Sequence, residues 1–203
     1  MNAQTIGLLS GGLVFLSIIP YAIRTYERKI HPVPTSWSLW TLIGLAVLLT
    51  YRSAGAHANA WPAVFGFANP AFIMILSIWR HEKWKKPNLA EWLCFLFGVV
   101  SLVMWLFLHQ SRELSQYALL VAIVADVCAA VPTIRFVWRQ PDRDRPFPWL
   151  LFGFGYFLAV FAAPDNTFAN WAVPLYMTAI TFTVALPLVL YRFRRDIPLR
   201  EWV

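Results

Sequence analysis

Residues Ala125–Trp149, ADVCAAVPTIRFVWRQPDRDRPFPW, decide the fold because the same pattern occurs earlier in Ile18–Trp40, IIPYAIRTYERKIHPVPTSWSLW. In each stretch an apolar segment is followed by a proline, a basic segment, a second proline and a tryptophan. The intervals are the same, 14 and 3 residues, for Pro20, Pro34 and Trp37 and for Pro132, Pro146 and Trp149. The pattern predicts a tandem repeat with an offset of 112 residues.

The composition excludes an ordinary soluble domain. Of the 203 residues, 59% are hydrophobic and only 13% are charged, whereas about 25% of the residues of a soluble domain are charged. No basic residue precedes the first apolar run and no small-residue cleavage site follows it, so we expect this segment to remain as a helix. Cys94 and Cys128 lie within apolar segments and are interpreted as packing residues. The sequence predicts an all-α integral membrane protein in contact with the lipid bilayer.

Seven apolar segments have about the length that a membrane-spanning helix needs, roughly 20 residues. We place them at Thr5–Ile23, Thr35–Tyr51, Asn59–Trp79, Ala90–His109, Tyr117–Val137, Pro148–Ala163 and Asn170–Leu190. The repeat then divides the chain into a first three-helix unit (1–86), a linker helix (87–113) and a second three-helix unit with a short tail (114–203).

The distribution of basic residues predicts the orientation in the membrane. Fifteen of the 17 Lys and Arg residues lie in the first, third and fifth loops and in the C-terminal tail, and only Arg52 and Arg112 lie on the other side. Because cytoplasmic loops are enriched in Lys and Arg, we expect the N-terminus outside and the C-terminus in the cytoplasm. The net charge of +7 follows from this topology and does not indicate a nucleic-acid partner.

The two units are predicted to be parallel. The first and fifth spans both begin outside, and the fourth span returns the chain across the membrane between them. This gives seven transmembrane helices in a parallel 3+1+3 repeat. Parallel repeats related by an axis along the membrane normal typically form a solute site near the midplane, between the halves. A monomer and a homo-oligomer are both compatible with this arrangement.

Asp126 is the strongest candidate for a functional residue, because it alone of the ten acidic residues falls deep inside an apolar segment. An ionised carboxylate at that depth costs on the order of 3 kcal/mol. We expect Asp126 to bind the solute or a proton. The alternative is that it pairs with a hydroxyl or amide and fixes helix packing. The small residues Ala122, Ala129, Ala130 and Thr133 share its helix face.

Polar residues of the third and seventh spans are further candidates for contact with a solute. Asn69 offers an amide donor and acceptor beside Pro70, whose ring frees a carbonyl in the preceding turn. The alternative is an amide that bridges two helices. Thr178 and Thr181 occupy the corresponding region of the last span, although threonines in membrane helices usually bond to their own backbone.

Prolines and tryptophans of the repeated pattern also have candidate roles. Pro20 and Pro132 each remove a backbone hydrogen bond near one end of a span, which predicts a hinge in both units or, alternatively, a passive helix end. Trp37 and Trp149, at the start of the second and sixth spans, are interpreted as interfacial belt residues or as residues that stack on the solute.

The repeated segment DVCAAVPTIRFVWRQPDRDRPFPW and the 3+1+3 arrangement resemble the PQ-loop superfamily, which includes SWEET sugar transporters, cystinosin-like exporters and the KDEL receptor. The segment also resembles the second repeat of uncharacterised bacterial members, which implies a bacterial inner (plasma) membrane as the location. The resemblance implies that Pro20 and Pro132 act as hinges and that Asn69 lies in the site. It also implies that Asp126 matches, at a displaced position, the acid in the fifth helix of cystinosin-like members that couples solute movement to protons. The glutamine that names the family is absent, because Tyr21 and Thr133 follow the two prolines.

These features together predict a transporter of a small polar solute, such as a sugar, amino acid or vitamin, that works by alternating access with or without proton coupling. A receptor or complex subunit on the same scaffold is the main alternative, and a channel is another. We expect no enzyme, no catalytic residue and no cofactor. No metal site is expected either, because the four histidines lie in loops or at helix ends without a partner at metal-ligand spacing.

Overall fold

The computed structural model of the chain describes residues 1–203 as helices joined by short connections, with no strand. The α-helices are α1 (Ala3–Ser17), α2 (Ile19–Tyr26), α3 (Pro34–Ser53), α4 (Trp61–Trp79), α5 (Leu89–Leu108), α6 (Arg112–Arg139), α7 (Pro146–Val160) and α8 (Phe168–Arg194). Short 3₁₀-helices cover Ala58–Ala60 and Leu199–Glu201.

Five helical segments are long and apolar enough to cross a membrane: Ala3–Tyr26, Ala58–Trp79, Leu89–Leu108, Arg112–Arg139 and Phe168–Arg194. Helix α7 is also apolar but shorter, with 15 residues. Large apolar side chains face outward, as α5 illustrates with the exposed residues Trp92, Phe95 and Phe107. Many of the buried residues are small, which is the pattern expected where lipid surrounds the protein. The chain is an all-α membrane protein.

Two helices extend by several residues beyond the apolar segments that the sequence marks, whereas α7 ends at Val160, before the predicted Ala163. Helix α6 begins at Arg112 instead of Tyr117, because the Ser111 side chain accepts a hydrogen bond from the Leu114 amide and caps the first turn. Helix α8 likewise continues to Arg194 instead of Leu190. Hydropathy marks only the apolar part of a helix, whereas polar turns at its ends remain helical.

The first span is broken at Ile18, between α1 and α2, and the break precedes Pro20. Proline disfavours helical conformation in the residue before it and cannot donate to the carbonyl four residues back. The Ile18 amide donates a 3.3 Å bond to the carbonyl of Phe15 instead of Val14, so the carbonyl of Val14 loses its helical donor. Helix α6, in contrast, runs without interruption past Pro132.

The helices pack in a pattern that the two parts of the chain share. Helix α1 packs against α4 and α7, and α6 packs against α8 and α3. The pairs α3–α4 and α7–α8 are also in extensive contact, whereas α5 packs against α6 and α3. Pro34 and Pro146 are the first residues of α3 and α7, where the fixed φ of proline suits a helix start.

Glycines allow two of these helix pairs to approach closely. A Cβ on Gly155 of α7 would lie 2.6 Å from Cγ2 of Val14 and 2.7 Å from the carbonyl oxygen of Ser10 in α1. A Cβ on Gly44 of α3 would lie 2.7 Å from the carbonyl oxygen of Gly66 in α4. Small residues at helix crossings permit backbone contact of this kind in membranes.

Candidate solute cavity

A cavity of ≈ 350 Å³ lies inside the bundle and is lined by residues of every helix except α5. We call the end of the bundle with the loops at 27–33, 80–88 and 140–145 the basic end, and the end with residues 54–60 and 161–167 the opposite end. The lining extends from Ala63 and Asp126 within the bundle to Tyr21, Ser36 and Asp144 near the basic end.

Asp126 lines the cavity from α6 and is 6% exposed. Its Oδ2 accepts a 2.6 Å hydrogen bond from the hydroxyl of Tyr176 in α8, and no Lys, Arg or His forms an ion pair with it. Ala130 and Thr133, which share its helix face, also line the cavity. The carboxyl group therefore has one protein partner and a face directed to the cavity.

Asn69 lines the cavity from α4 and bridges to another helix. Its Nδ2 donates a 2.7 Å hydrogen bond to the carbonyl oxygen of Val14 in α1. That carbonyl is free to accept because the helix breaks at Ile18, and it also accepts a bond from Ser17. The Asn69 amide thus bonds to a carbonyl that the break in the first span leaves without its helical donor.

The two threonines of α8 have different surroundings. Thr181 lines the cavity, and its hydroxyl donates a 2.6 Å hydrogen bond to the carbonyl of Met177 one turn earlier. Thr178 lies outside the lining, and its hydroxyl donates to the carbonyl of Pro174, which lies in the same helix. Only Thr181 is positioned to contact a molecule in the cavity.

Trp37 and Trp149 both line the cavity near the basic end. The ring of Trp37 lies 5.0 Å from that of Tyr21, measured between centroids. Nε1 of Trp149 donates a 3.0 Å hydrogen bond to Oδ2 of Asp144. Each tryptophan therefore lies near the start of a helix and also lines the cavity.

The two prolines predicted to act as hinges lie outside the lining. Pro20 is partly buried in the first turn of α2, directly after the break at Ile18, whereas Pro132 is exposed on the surface of α6. The cavity wall contains the neighbours Ile18 and Tyr21 on one side and Thr133 on the other.

Several residues of the cavity were not singled out from the sequence. Asp144 lies in a loop, where an acid is ordinary, and Trp40, Phe152 and Tyr156 lie in apolar helices, where aromatic residues usually face lipid. The spacing from Trp37 to Trp40 is a helical one and is the only signal that could have marked Trp40.

A buried arginine holds the loop that carries Asp144. Arg192 is 1% exposed, and its Nη1 donates to the carbonyl of Pro141 at 3.1 Å while its Nη2 donates to the backbone carbonyl of Asp144 at 2.5 Å. These bonds connect the end of α8 to the loop before α7. They position Asp144 through its backbone and leave its carboxylate for other partners.

Polar residues tie the helices together at the opposite end. Nδ2 of Asn59 donates to the Tyr51 hydroxyl at 2.6 Å and to Oδ1 of Asn170 at 2.9 Å, and all three residues are fully buried. Nδ2 of Asn170 donates to Oδ1 of Asp165 at 2.7 Å, and Arg112 forms an ion pair with Oδ2 of Asp165. This network links α3, α6 and α8, and none of its residues lines the cavity.

Asp165 is the acceptor at the centre of this network. Hydrogen bonds from Thr167, Arg112 and Asn170, which are stronger to the ionised carboxylate than to the neutral acid, hold the pKa of Asp165 well below its usual range. The Nε of Arg112 also donates a 3.2 Å bond to the carbonyl oxygen of Ala54. The ionised form of Asp165 is therefore part of what closes this end.

Comparison of the chain with protein-family models, with curated proteins and with solved structures finds no match. The interpretation of the cavity accordingly depends on its geometry and chemistry.

Proposed function

We propose that the protein is a membrane transporter that moves a small polar solute by alternating access, on a parallel 3+1+3 scaffold like that of the PQ-loop superfamily. In this proposal the cavity is the solute site, with Asp126, Asn69, Thr181, Trp37 and Trp149 in contact with the solute. Asp126 is also the group that exchanges a proton if transport is proton-coupled.

One observation carries the proposal: residues 112 positions apart line the same cavity. Seven such pairs occur, namely Ile18 and Ala130, Tyr21 and Thr133, Ser36 and Pro148, Trp37 and Trp149, Trp40 and Phe152, Gly44 and Tyr156, and Asn69 and Thr181. A site built from matching positions of two units is what the repeat predicts. The matched packing of α1 on α7 and of α6 on α3 gives further support.

The two ends of the bundle support an alternating-access cycle. The lining reaches the basic end, while hydrogen bonds between residues of the two units, Asn59 and Asn170, join the helices at the opposite end. A transporter needs a second state in which the opposite end opens and the basic end closes. By the distribution of Lys and Arg, the basic end is cytoplasmic and the N-terminus is outside.

Counterflow in proteoliposomes tests this proposal. Vesicles are loaded with an unlabelled solute, and uptake of the same labelled solute is followed for a panel of sugars, amino acids, vitamins and amines. A transporter exchanges one molecule for another, so we expect a transient accumulation for at least one solute. The Asp126→Ala and Asn69→Ala variants should lose it, and Glu113→Gln, at the exposed start of α6, should keep it.

The alternatives give different results in the same assay. A channel equilibrates the label without a transient excess, and its flux does not saturate. A receptor or subunit binds a ligand but gives no flux. For a proton-coupled carrier, an imposed pH gradient changes the accumulation, and Asp126→Asn should remove that response. Absence of counterflow for every solute that binds the protein would contradict the proposal.

A further inference from the structure

The charges that line the cavity all have one sign. Asp126 and Asp144 are its only acidic residues, and none of the 17 Lys and Arg residues or the four His residues lines it. A site surrounded by low-dielectric walls strengthens the attraction of its carboxylates for an opposite charge. The electrostatics of the cavity therefore favour a cation.

Neither carboxylate is neutralised by an ion pair with the protein. Asp126 accepts only the bond from Tyr176, and Asp144 accepts bonds from Nε1 of Trp149 and from the backbone amide of Arg145. The guanidinium of Arg145 donates to the carbonyl of Glu201, and that of Arg192 donates to backbone carbonyls. The charge of Arg192, whose guanidinium bonds to the Asp144 carbonyl, offsets part of the charge of Asp144, whereas no cation lies against Asp126. Asp126 therefore offers the stronger negative charge to a ligand.

Aromatic rings form much of the wall of the cavity. Six aromatic side chains line the cavity: Tyr21, Trp37, Trp40, Trp149, Phe152 and Tyr156. The faces of aromatic rings attract cations, tryptophan most strongly, and aromatic cages are the common way of binding alkylated ammonium groups. These rings therefore suit both the charge and the alkyl groups of such a cation.

The cavity lacks a cationic partner for a carboxylate on the ligand. Its side-chain donors are all neutral: the hydroxyls of Ser17, Ser36, Thr133, Thr181, Tyr21 and Tyr156, the indole N–H groups of Trp37, Trp40 and Trp149, and the amide of Asn69. Burial of a ligand carboxylate without a cationic partner is costly. Amino acids and other zwitterions therefore fit the site less well than a cation without a carboxylate.

We propose that the cavity binds a small organic ammonium cation that has no carboxylate, with Asp126 as its counter-ion within the bundle, Asp144 as a second anionic group near the basic end and the aromatic rings packed around its alkyl groups. The volume of ≈ 350 Å³ accommodates a molecule of this class. The inference depends on the proposed function only in taking this cavity as the solute site, and it names the class of solute.

Three probes of similar size separate charge from shape. Choline carries the ammonium group, 3,3-dimethylbutan-1-ol is its uncharged isostere, and glycine betaine adds a carboxylate. Binding is measured by tryptophan fluorescence and by thermal shift for protein purified in a maltoside detergent, which contains no choline headgroup. We expect choline to bind at least about tenfold more tightly than either of the other probes.

Variants assign the binding to the cavity. Asp126→Asn should weaken choline binding by about tenfold or more, Asp144→Asn should weaken it less, and Glu113→Gln should leave it unchanged. Asp144 lies in a loop, so its variant remains informative if Asp126→Asn fails to fold. Equal binding of choline and its uncharged isostere, or no response to choline up to about 10 mM, would overturn the inference.

The two proposals fail separately. If choline binds but no ligand, choline included, shows counterflow, the cation site stands and the transport proposal falls. If a neutral sugar shows counterflow and choline does not bind, transport stands and the cation inference falls.

Discussion

The side-chain amide of Asn59 donates a 2.9 Å hydrogen bond to the amide oxygen of Asn170 at the opposite end of the bundle. Each asparagine follows an alanine and lies close to the start of α4 or α8, in the related sequences ANAWP and ANWAVP. Each is completely buried. The two parts of the chain therefore meet through the same residue type at similar positions, and this bond joins them.

Replacement of Asn170 by alanine should loosen the opposite end. The change leaves the buried amide of Asn59 without one acceptor and removes a donor to Asp165, and an unsatisfied buried polar group costs about 1–3 kcal/mol. We expect a lower thermal unfolding temperature in detergent. Asn166→Ala is the matched control, because Asn166 is exposed in the same connection. Equal unfolding temperatures for the two variants would contradict a structural role for the network.

The stability supplied by Asp165 should depend on pH with a definite sign. Its pKa is lowered in the folded protein, so its contribution is complete above the unfolded value of about 4 and is lost as the pH falls towards the lower folded value. The unfolding temperatures of wild type and Asp165→Asn should therefore differ at neutral pH and converge on acidification below about pH 4. Asp142→Asn, at the exposed basic end, serves as control. A difference that persists unchanged at low pH would contradict this assignment.

The crossing of α1 and α7 should not tolerate a methyl group on Gly155. A Cβ there would lie 2.6 Å from Val14 and 2.7 Å from the backbone of Ser10, so the helices must separate, at a cost of about 1–3 kcal/mol. Gly12→Ala provides the comparison, since no atom outside the backbone of its own helix and its chain neighbours lies within 4 Å of its added Cβ, and alanine favours a helix. We expect Gly155→Ala to lower the unfolding temperature and Gly12→Ala to maintain or raise it. The reverse order would show that this crossing is not tight.

The sequence predicts the all-α membrane fold and part of the cavity. It does so because some of its residues are of a type seldom found in apolar membrane-spanning segments. An acid inside an apolar span, as at Asp126, is costly and therefore noticeable. The paired intervals of proline and tryptophan likewise stand out in an apolar chain. Of the predicted site residues, the cavity contains Asp126, Asn69, Thr181, Trp37 and Trp149.

The remaining features depend on contacts between distant parts of the chain. Tyr176 bonds to Asp126 across 50 positions, and an isolated tyrosine in a helix does not reveal its partner. The break at Ile18 is not visible in hydropathy, because both sides of it are apolar. Asp144 reaches the cavity through a loop whose position is set by Arg192. Local patterns cannot specify such arrangements.

The break at Ile18 and the position of Asn69 should be coupled. The break frees the carbonyl of Val14, which then accepts the hydrogen bond from Asn69. Pro20→Ala restores a backbone donor and should favour a continuous helix, in which Val14 bonds to Ile18 instead. We expect this variant to slow solute exchange more than it weakens binding, because a bend in the first span is lost. Pro132→Ala, in an unbroken helix, should have a smaller effect.

A double-mutant cycle tests this coupling directly. If Pro20→Ala and Asn69→Ala both act through the carbonyl of Val14, their effects on exchange should not add, with a deviation of about 0.5–3 kcal/mol. Pro132→Ala combined with Asn69→Ala should be additive, since no contact joins Pro132 to that carbonyl. Additive effects in the first cycle would mean that the break shapes the first span without positioning Asn69. In that case the amide would owe its place in the cavity wall to the packing of α4 alone.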